Sequence, residues 1–226
     1  ARETGKGEWT LDLEDSRTSA LTFEWEEQVV GWPFFQIEAP EGTIVEILVH
    51  EAHQPGGPPL LNSHFNSWTR FICRAGVNRF QTFDYESLRW MQIHIHGTTG
   101  RVRLWDIGVH RRIYPWPHRP EIDSSEPALN RLFSASINTL HNCAQDILVD
   151  GMARERQQYS GDCGHQLHAI FSTFGEWRQG ARYLQTYSQG MTLDGYFLDC
   201  WPAYDRLARL MERQMQLTGW GPILDH

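Results

Sequence analysis

The chain has 226 residues, enough for one large domain or two modest ones with a buried core. Twenty Lys and Arg stand against twenty-eight Asp and Glu, a formal net charge of −8. No basic stripe is visible that would suit a nucleic-acid partner, and no apolar run approaches the roughly 18 residues a membrane-spanning helix needs.

The first half reads as strands. Trp9–Leu13 and Leu21–Trp25 alternate apolar and polar residues, and Phe34–Ala39 leads into a turn signal at Pro40-Glu41-Gly42. Thr43–Val49 follows, rich in β-branched residues, then a Pro/Gly loop over Gln54–Pro59. Further strands are expected at Trp68–Cys73, Arg79–Phe83, Trp90–His96 and Val102–Val109. Short strands separated by turn signals predict an antiparallel β-sandwich. Arg111 and Arg112, beside His110, form the only tight basic cluster and fit a solvated strand end.

The pattern then changes. Tyr114-Pro115-Trp116-Pro117-His118-Arg119-Pro120 cannot sit inside a helix or a central strand, so a boundary is expected between about Arg112 and Glu121. The organisation that follows is a β-sandwich over 1–114, a Pro-rich linker over 115–122 and a helical domain over 123–226. Asp123-Ser124-Ser125-Glu126-Pro127 supplies N-cap candidates. Leu129, Leu132, Phe133, Ser136, Ile137, Leu140 and Cys143 recur at helical spacing, and more helix is expected over Gln166–Phe174, Trp177–Tyr187 and Ala203–Leu217.

Cys73, Cys143, Cys163 and Cys200 are too widely spaced for a metal cluster or a disulfide framework and read as reduced thiols of a cytoplasmic-type protein. The first residues, Ala1–Lys6, are polar and lack both an apolar signal region and an initiator Met, so the native start is expected elsewhere. Neither a metal nor another cofactor is expected. His94 and His96 share one strand face but lack a third ligand nearby in sequence. Ten tryptophans suit a large core, with a few left over for stacking on flat ligands such as sugar rings.

The chemistry concentrates in Asp150-Gly151-Met152-Ala153-Arg154-Glu155-Arg156-Gln157-Gln158-Tyr159-Ser160-Gly161-Asp162. Three carboxylates, two arginines and two flanking glycines make a non-periodic loop after a helix, the kind of place where a scaffold presents working residues. This segment resembles the D-C/G-P-x-R-E-R-x-G-W-x-G-D motif of bacterial α-L-rhamnosidases. Asp150, Arg154, Glu155, Arg156, Gly161 and Asp162 match in identity and spacing; Met152, Gln158 and Tyr159 stand where Pro, Gly and Trp are usual. Gly42–Ile47 with His50-Glu51-Ala52, Tyr85–Trp90, Trp201–Tyr204 and Leu217-Thr218-Gly219 are similar to flanking parts of the family.

The resemblance implies a β-sandwich followed by the first helices of an (α/α)6 barrel, incomplete in this chain, and inverting hydrolysis of terminal α-L-rhamnosides. Two carboxyl groups about 6.5–9.5 Å apart carry such a reaction. It makes Glu155 the general acid, its pKa expected to be raised by Asp150 and Asp162. It makes Asp150, Arg154 and Asp162 partners of the sugar hydroxyls, with Tyr159 and Trp201 lining its apolar face and His165, and beside it His168, within reach.

The family's general base lies later in the barrel, so it is expected outside this chain; Glu176, Asp194, Asp199 and Asp205 do not match its motif. Cys163-Gly164-His165 suits site shaping better than thiol chemistry, and Arg206, Arg209 and Arg213 form a solvated helix face. The competing readings are a carbohydrate-binding module without a second carboxylate, and an interaction fragment whose apolar edge finds the rest of the domain or a second copy. The helical half is expected to expose apolar surface unless it is paired with more protein.

Overall fold

The computed structural model describes residues 2–5, 7–14, 17–52, 68–191, 193, 195, 197–198 and 200–202. Two compact units divide at Arg112/Ile113. The first holds β1 (Arg2–Gly5), β2 (Glu8–Leu13), β3 (Ser19–Ala39), β4 (Ile44–His50), β5 (Trp68–Ile72), β6 (Gly76–Gln81), β7 (Glu86–His96) and β8 (Gly100–Arg111). The second holds α1 (Pro127–Cys143), α2 (Ser160–Phe174) and α3 (Arg178–Ser188). The expected Gln54–Pro59 loop and Ala203–Leu217 helix lie outside the described residues.

All strand pairs are antiparallel, in the order β1-β2-β8-β3-β7-β4-β5 with β6 also on β3. The 21-residue β3 explains how one hydrogen-bonded sheet makes a sandwich. Its first part pairs with β7, from Ser19↔Ile95 to Gly31↔Glu86. Its second part lies between β8 and β6, with Ile37 opposite Leu104 and Asn78. Inward side chains of β3 and of the strands paired around it, including Phe35, Ile37, Val45, Ile47, Ile93 and Leu104, meet in one core.

The two strands expected at Leu21–Trp25 and Phe34–Ala39 are parts of this one strand, joined through Gly31-Trp32-Pro33. That segment is the crossing point between layers. A Cβ on Gly31 would sit 2.1 Å from the His110 carbonyl oxygen, so the close approach of β3 and β8 requires glycine. Pro33 faces Val109 while its carbonyl accepts from the Thr82 N–H at 3.0 Å, in the gap between the end of the β7 pairing and the start of the β6 pairing. A missing N–H does little harm there. The register of β8 also slips by one residue opposite Phe34–Gln36. Asp106 takes φ +50° within that bulge, and Gln36 donates to its carboxylate at 2.6 Å.

In the helical unit the expected cap cluster resolves to one residue. Glu126 accepts from the Ala128 N–H at 3.2 Å, and Pro127 opens α1 where its missing N–H is not needed. Helix α2 begins at Ser160, six residues before the apolar periodicity predicted, so Gly161 and Asp162 occupy a helical first turn rather than a loop. It ends at Gly175, φ +64°, whose N–H returns to Phe171.

Trp116 of the Pro-rich segment is buried in the helical core, stacked on Phe174 at 4.0 Å with Ile137, Ile170 and Tyr183 nearby. Leu129 and Leu132 of α1, Phe171 of α2 and Leu184 of α3 remain 47–64% exposed, so an apolar helix surface is present. All four cysteines are buried thiols, none of them in a disulfide. Among the described residues no helix is long and apolar enough to cross a membrane.

Candidate active site

The acidic segment is a loop pinched at its base. The Asp150 N–H donates to the Gln157 carbonyl at 3.0 Å, and the Gln157 N–H donates back to Asp150 Oδ1 at 3.0 Å. Six residues are thereby closed into a tight excursion. At its tip the Arg156 N–H reaches the Arg154 carbonyl at 2.7 Å across Glu155, and Glu155 and Arg156 take φ +62° and +54°. Two consecutive side-chain-bearing residues in the left-handed region cost energy, and such positions concentrate at functional sites. Arg156 helps hold the conformation, its Nε donating to the Met152 carbonyl at 2.6 Å.

Glu155 is partly exposed and sits between opposite influences. An Arg154 guanidinium nitrogen lies 3.2 Å from its Oε1, in a pair exposed enough to contribute little to stability. On the other side it shares a hydrogen bond with the half-buried Asp150 carboxyl. Burial first, and the Glu155 carboxyl with it, push Asp150 up from 3.8 to about 6 against the lowering pull of the backbone N–H of Gln157. Two carboxyl groups that share a proton resist double ionisation. The group that burial holds up is Asp150, at the pinched base of the loop.

The remaining expected residues divide by burial. Arg154, Asp162, His165 and His168 are exposed. Tyr159 is half-buried, caps α2 in an extended conformation and bridges to Cys200. Trp201 is half-buried and packs beside the helical core. Thus Asp150, Arg154 and Glu155 come together directly, Tyr159 and Trp201 are tied in through the backbone, and Asp162 and His165 lie on the first two turns of α2.

Cys163 and His165 do not converge. The thiol is buried, donates to the Leu148 carbonyl at 3.4 Å and is pushed up by burial, whereas the imidazole faces outward. Glu176 is engaged at the start of α3, accepting from the Arg178 backbone at 2.6 Å and its guanidinium at 3.1 Å. Those bonds with Arg178 hold its pKa below the ordinary value. Asp194, Asp199, Asp205, Arg206, Arg209 and Arg213 lie outside the described residues. On the sheet, His96 pairs with Glu46 at 3.3 Å and Glu46 with Arg70 at 2.6 Å, while burial lowers the pKa of His94.

Two residues that mattered were missed. Gln157 and Gln158 are each 1% exposed, and their backbone and amides organise the segment. No local signal distinguishes a buried clamping glutamine from a solvated one; only the pairing partners do.

Comparison with known proteins gives the context. Residues 117–224 match the family model for the bacterial alpha-L-rhamnosidase 6 hairpin glycosidase domain. A GH78 family rhamnosidase of Bacillus sp. GL1 superposes over 86% of this chain with TM-score 0.78 and 23% identity. A rhamnosidase from Klebsiella oxytoca with rhamnose bound covers 85% with TM-score 0.70 and 16% identity. An alpha-L-rhamnosidase from Dictyoglumus thermophilum covers 91% with TM-score 0.65 and 14% identity. No match is found among curated proteins.

At these identities the likeness to the solved structures is one of fold. The chain spans 20%, 40% and 25% of those three structures, respectively. The resemblance to the bacterial α-L-rhamnosidase family, carried in the sequence by Asp150–Asp162, thus holds in family match and in fold, for a chain that covers part of such a protein.

Proposed function

We propose that this chain contributes the acid side of an inverting α-L-rhamnosidase-type active site, with Glu155 as general acid. The observation that carries the reading is Glu155 itself, held at the tip of a pinched loop at φ +62° with its carboxyl against that of Asp150. A proton donor to a glycosidic oxygen must be presented from a fixed position, and the loop holds Glu155 at its tip between the Arg154 guanidinium and the Asp150 carboxyl. Arg154 donates to sugar hydroxyls from the exposed side of the loop, and Asp150 and Asp162 accept from them. Tyr159 and Trp201 supply apolar faces for the ring and its methyl group, and His165 stands on the exposed side of α2.

The second carboxylate, the base that activates water, comes from a later part of the helical domain in this reading. The engagement of Glu176 with Arg178 supports it, since a carboxylate so paired is a weak base. The substrate is a rhamnoside, and no cofactor enters the reaction. A binding or interaction role draws its support from the exposed Leu129, Leu132, Phe171 and Leu184, a face suited to further protein.

The test is hydrolysis of α-L-rhamnosides by an active protein containing this segment and by its Glu155→Gln variant. Loss of about 10²–10⁴-fold is expected on poor leaving groups, with L-rhamnose binding kept and activated aryl rhamnosides much less affected. Equal turnover of both proteins on a natural rhamnoside would remove Glu155 from the acid role.

A further inference from the structure

Gln157 and Gln158 form the middle of a three-segment ladder. On one side the Gln157 backbone exchanges two hydrogen bonds with Asp150, each 3.0 Å. On the other, the Trp201 N–H donates to the Gln158 carbonyl at 3.1 Å, and Tyr159 bridges Cys200. Side chains close the second side further: Gln158 Nε2 donates to the Trp201 carbonyl at 2.7 Å, and Cys200 Sγ donates to Gln157 Oε1 at 3.3 Å. Gln158 alone therefore occupies both main-chain polar groups of Trp201.

At 1% exposure Gln158 is too deep to touch a ligand, while the indole of Trp201 is only half-buried. The seat of that ring is equally specific, since a Cβ on Gly190 would lie 2.4 Å from its Cγ. A glycine at 158, as in the motif this segment resembles, has no amide with which to make the 2.7 Å bond.

We infer that Gln158 is a positioning residue that fixes Trp201 relative to the Asp150–Glu155 loop, so that the indole forms one wall of the sugar site. The inference rests on the rhamnoside reading above for the identity of the sugar and on the ladder for the placement of the ring. Two peptide units separate the carboxyl pair from the indole, so a shift of Trp201 alters the site without altering Glu155.

The experiment follows the ¹⁵N-indole signal of Trp201, assigned through Trp201→Phe, in the 226-residue chain during titration with L-rhamnose. In the unsubstituted chain the signal responds to the sugar. Gln158→Met keeps an unbranched side chain of similar volume but has no donor for the Trp201 carbonyl. It is expected to move the Trp201 resonance without sugar and to weaken L-rhamnose binding about five- to tenfold, as loss of one hydrogen bond predicts.

Gly190→Ala, which disturbs the seat of the ring and leaves Gln158 intact, is expected to weaken binding as well. An unmoved resonance in folded Gln158→Met overturns the inference, as does unchanged affinity with a displaced ring. If Gln158→Met does not fold, unaltered affinity in Gly190→Ala overturns it. A Trp201 signal that Gln158→Met moves but L-rhamnose never does leaves the contact standing and sinks the rhamnoside reading instead.

Discussion

The two units bury their apolar residues to different degrees. In the strand unit the inward residues of five strands meet in one core, and Val45, Leu88, Met91, Ile93, Ile95 and Leu104 are 0% exposed. In the helical unit the core centres on aromatic residues, Trp116, Phe174, Tyr183 and Tyr187, while several leucines on the same helices stay exposed. A sheet folded on itself satisfies its own apolar face. The three described helices share one core and leave leucines on their other faces exposed. The acidic loop belongs to the second kind of region, where buried polar groups such as Gln157, Gln158 and Asn142 stand in for the dense apolar packing of the first.

The largest way to break this contrast is Phe35→Ala. Phe35 is 1% exposed and packs edge-on to Phe71 at 5.5 Å and against Phe80 at 5.4 Å. Its truncation is expected to cost about 3–5 kcal/mol, measured by urea unfolding. A loss below about 1 kcal/mol would mean the two layers do not share one core.

Asp150→Asn sharpens the contrast from the other side and should stabilise the protein. A carboxyl whose folded pKa lies above its unfolded value binds more protons folded than unfolded between the two. Its contribution therefore falls as pH rises from 3.8 to about 6 and stays unfavourable above. Asparagine keeps an oxygen for the Gln157 N–H and carries no charge. The variant should gain of the order of 2 kcal/mol at pH 7 and almost nothing at pH 3.5, compared by urea unfolding at each pH. An equal gain at both pH values would show that burial of charge is not the cause.

The smallest effect is expected at Leu132, 64% exposed on α1. Leu132→Gln should change the stability of this chain by no more than about 0.5 kcal/mol, read from the same unfolding curves. A loss of 2 kcal/mol would show that the exposed helix face is already covered by protein, for instance a second copy, and a concentration dependence of the melting temperature would then identify it.

Period-two alternation was enough to read Trp9–Leu13 or Thr43–Val49 as strands, because one face of each is buried whatever the partner. The acidic motif was legible because Asp150, Arg154, Glu155, Arg156, Gly161 and Asp162 match in identity and spacing the motif of the family this segment resembles. Other features depended on contacts between distant residues. Whether Gly31-Trp32-Pro33 ends a strand or carries it between layers depends on His110, about eighty residues away, against which only glycine fits. That α2 begins at Ser160 could not be read from Gly161 and Asp162, which favour a loop until a helix is packed around them.

The same division holds within the loop. Sequence alone determined that carboxylates and guanidinium groups cluster between residues 150 and 162. Tertiary structure decided that the Asp150 carboxyl is held up, because its burial comes from the packing around the base of the loop. It also decided that Gln158 faces Trp201 rather than water, since a glutamine amide has no preference until a backbone carbonyl is placed 2.7 Å away.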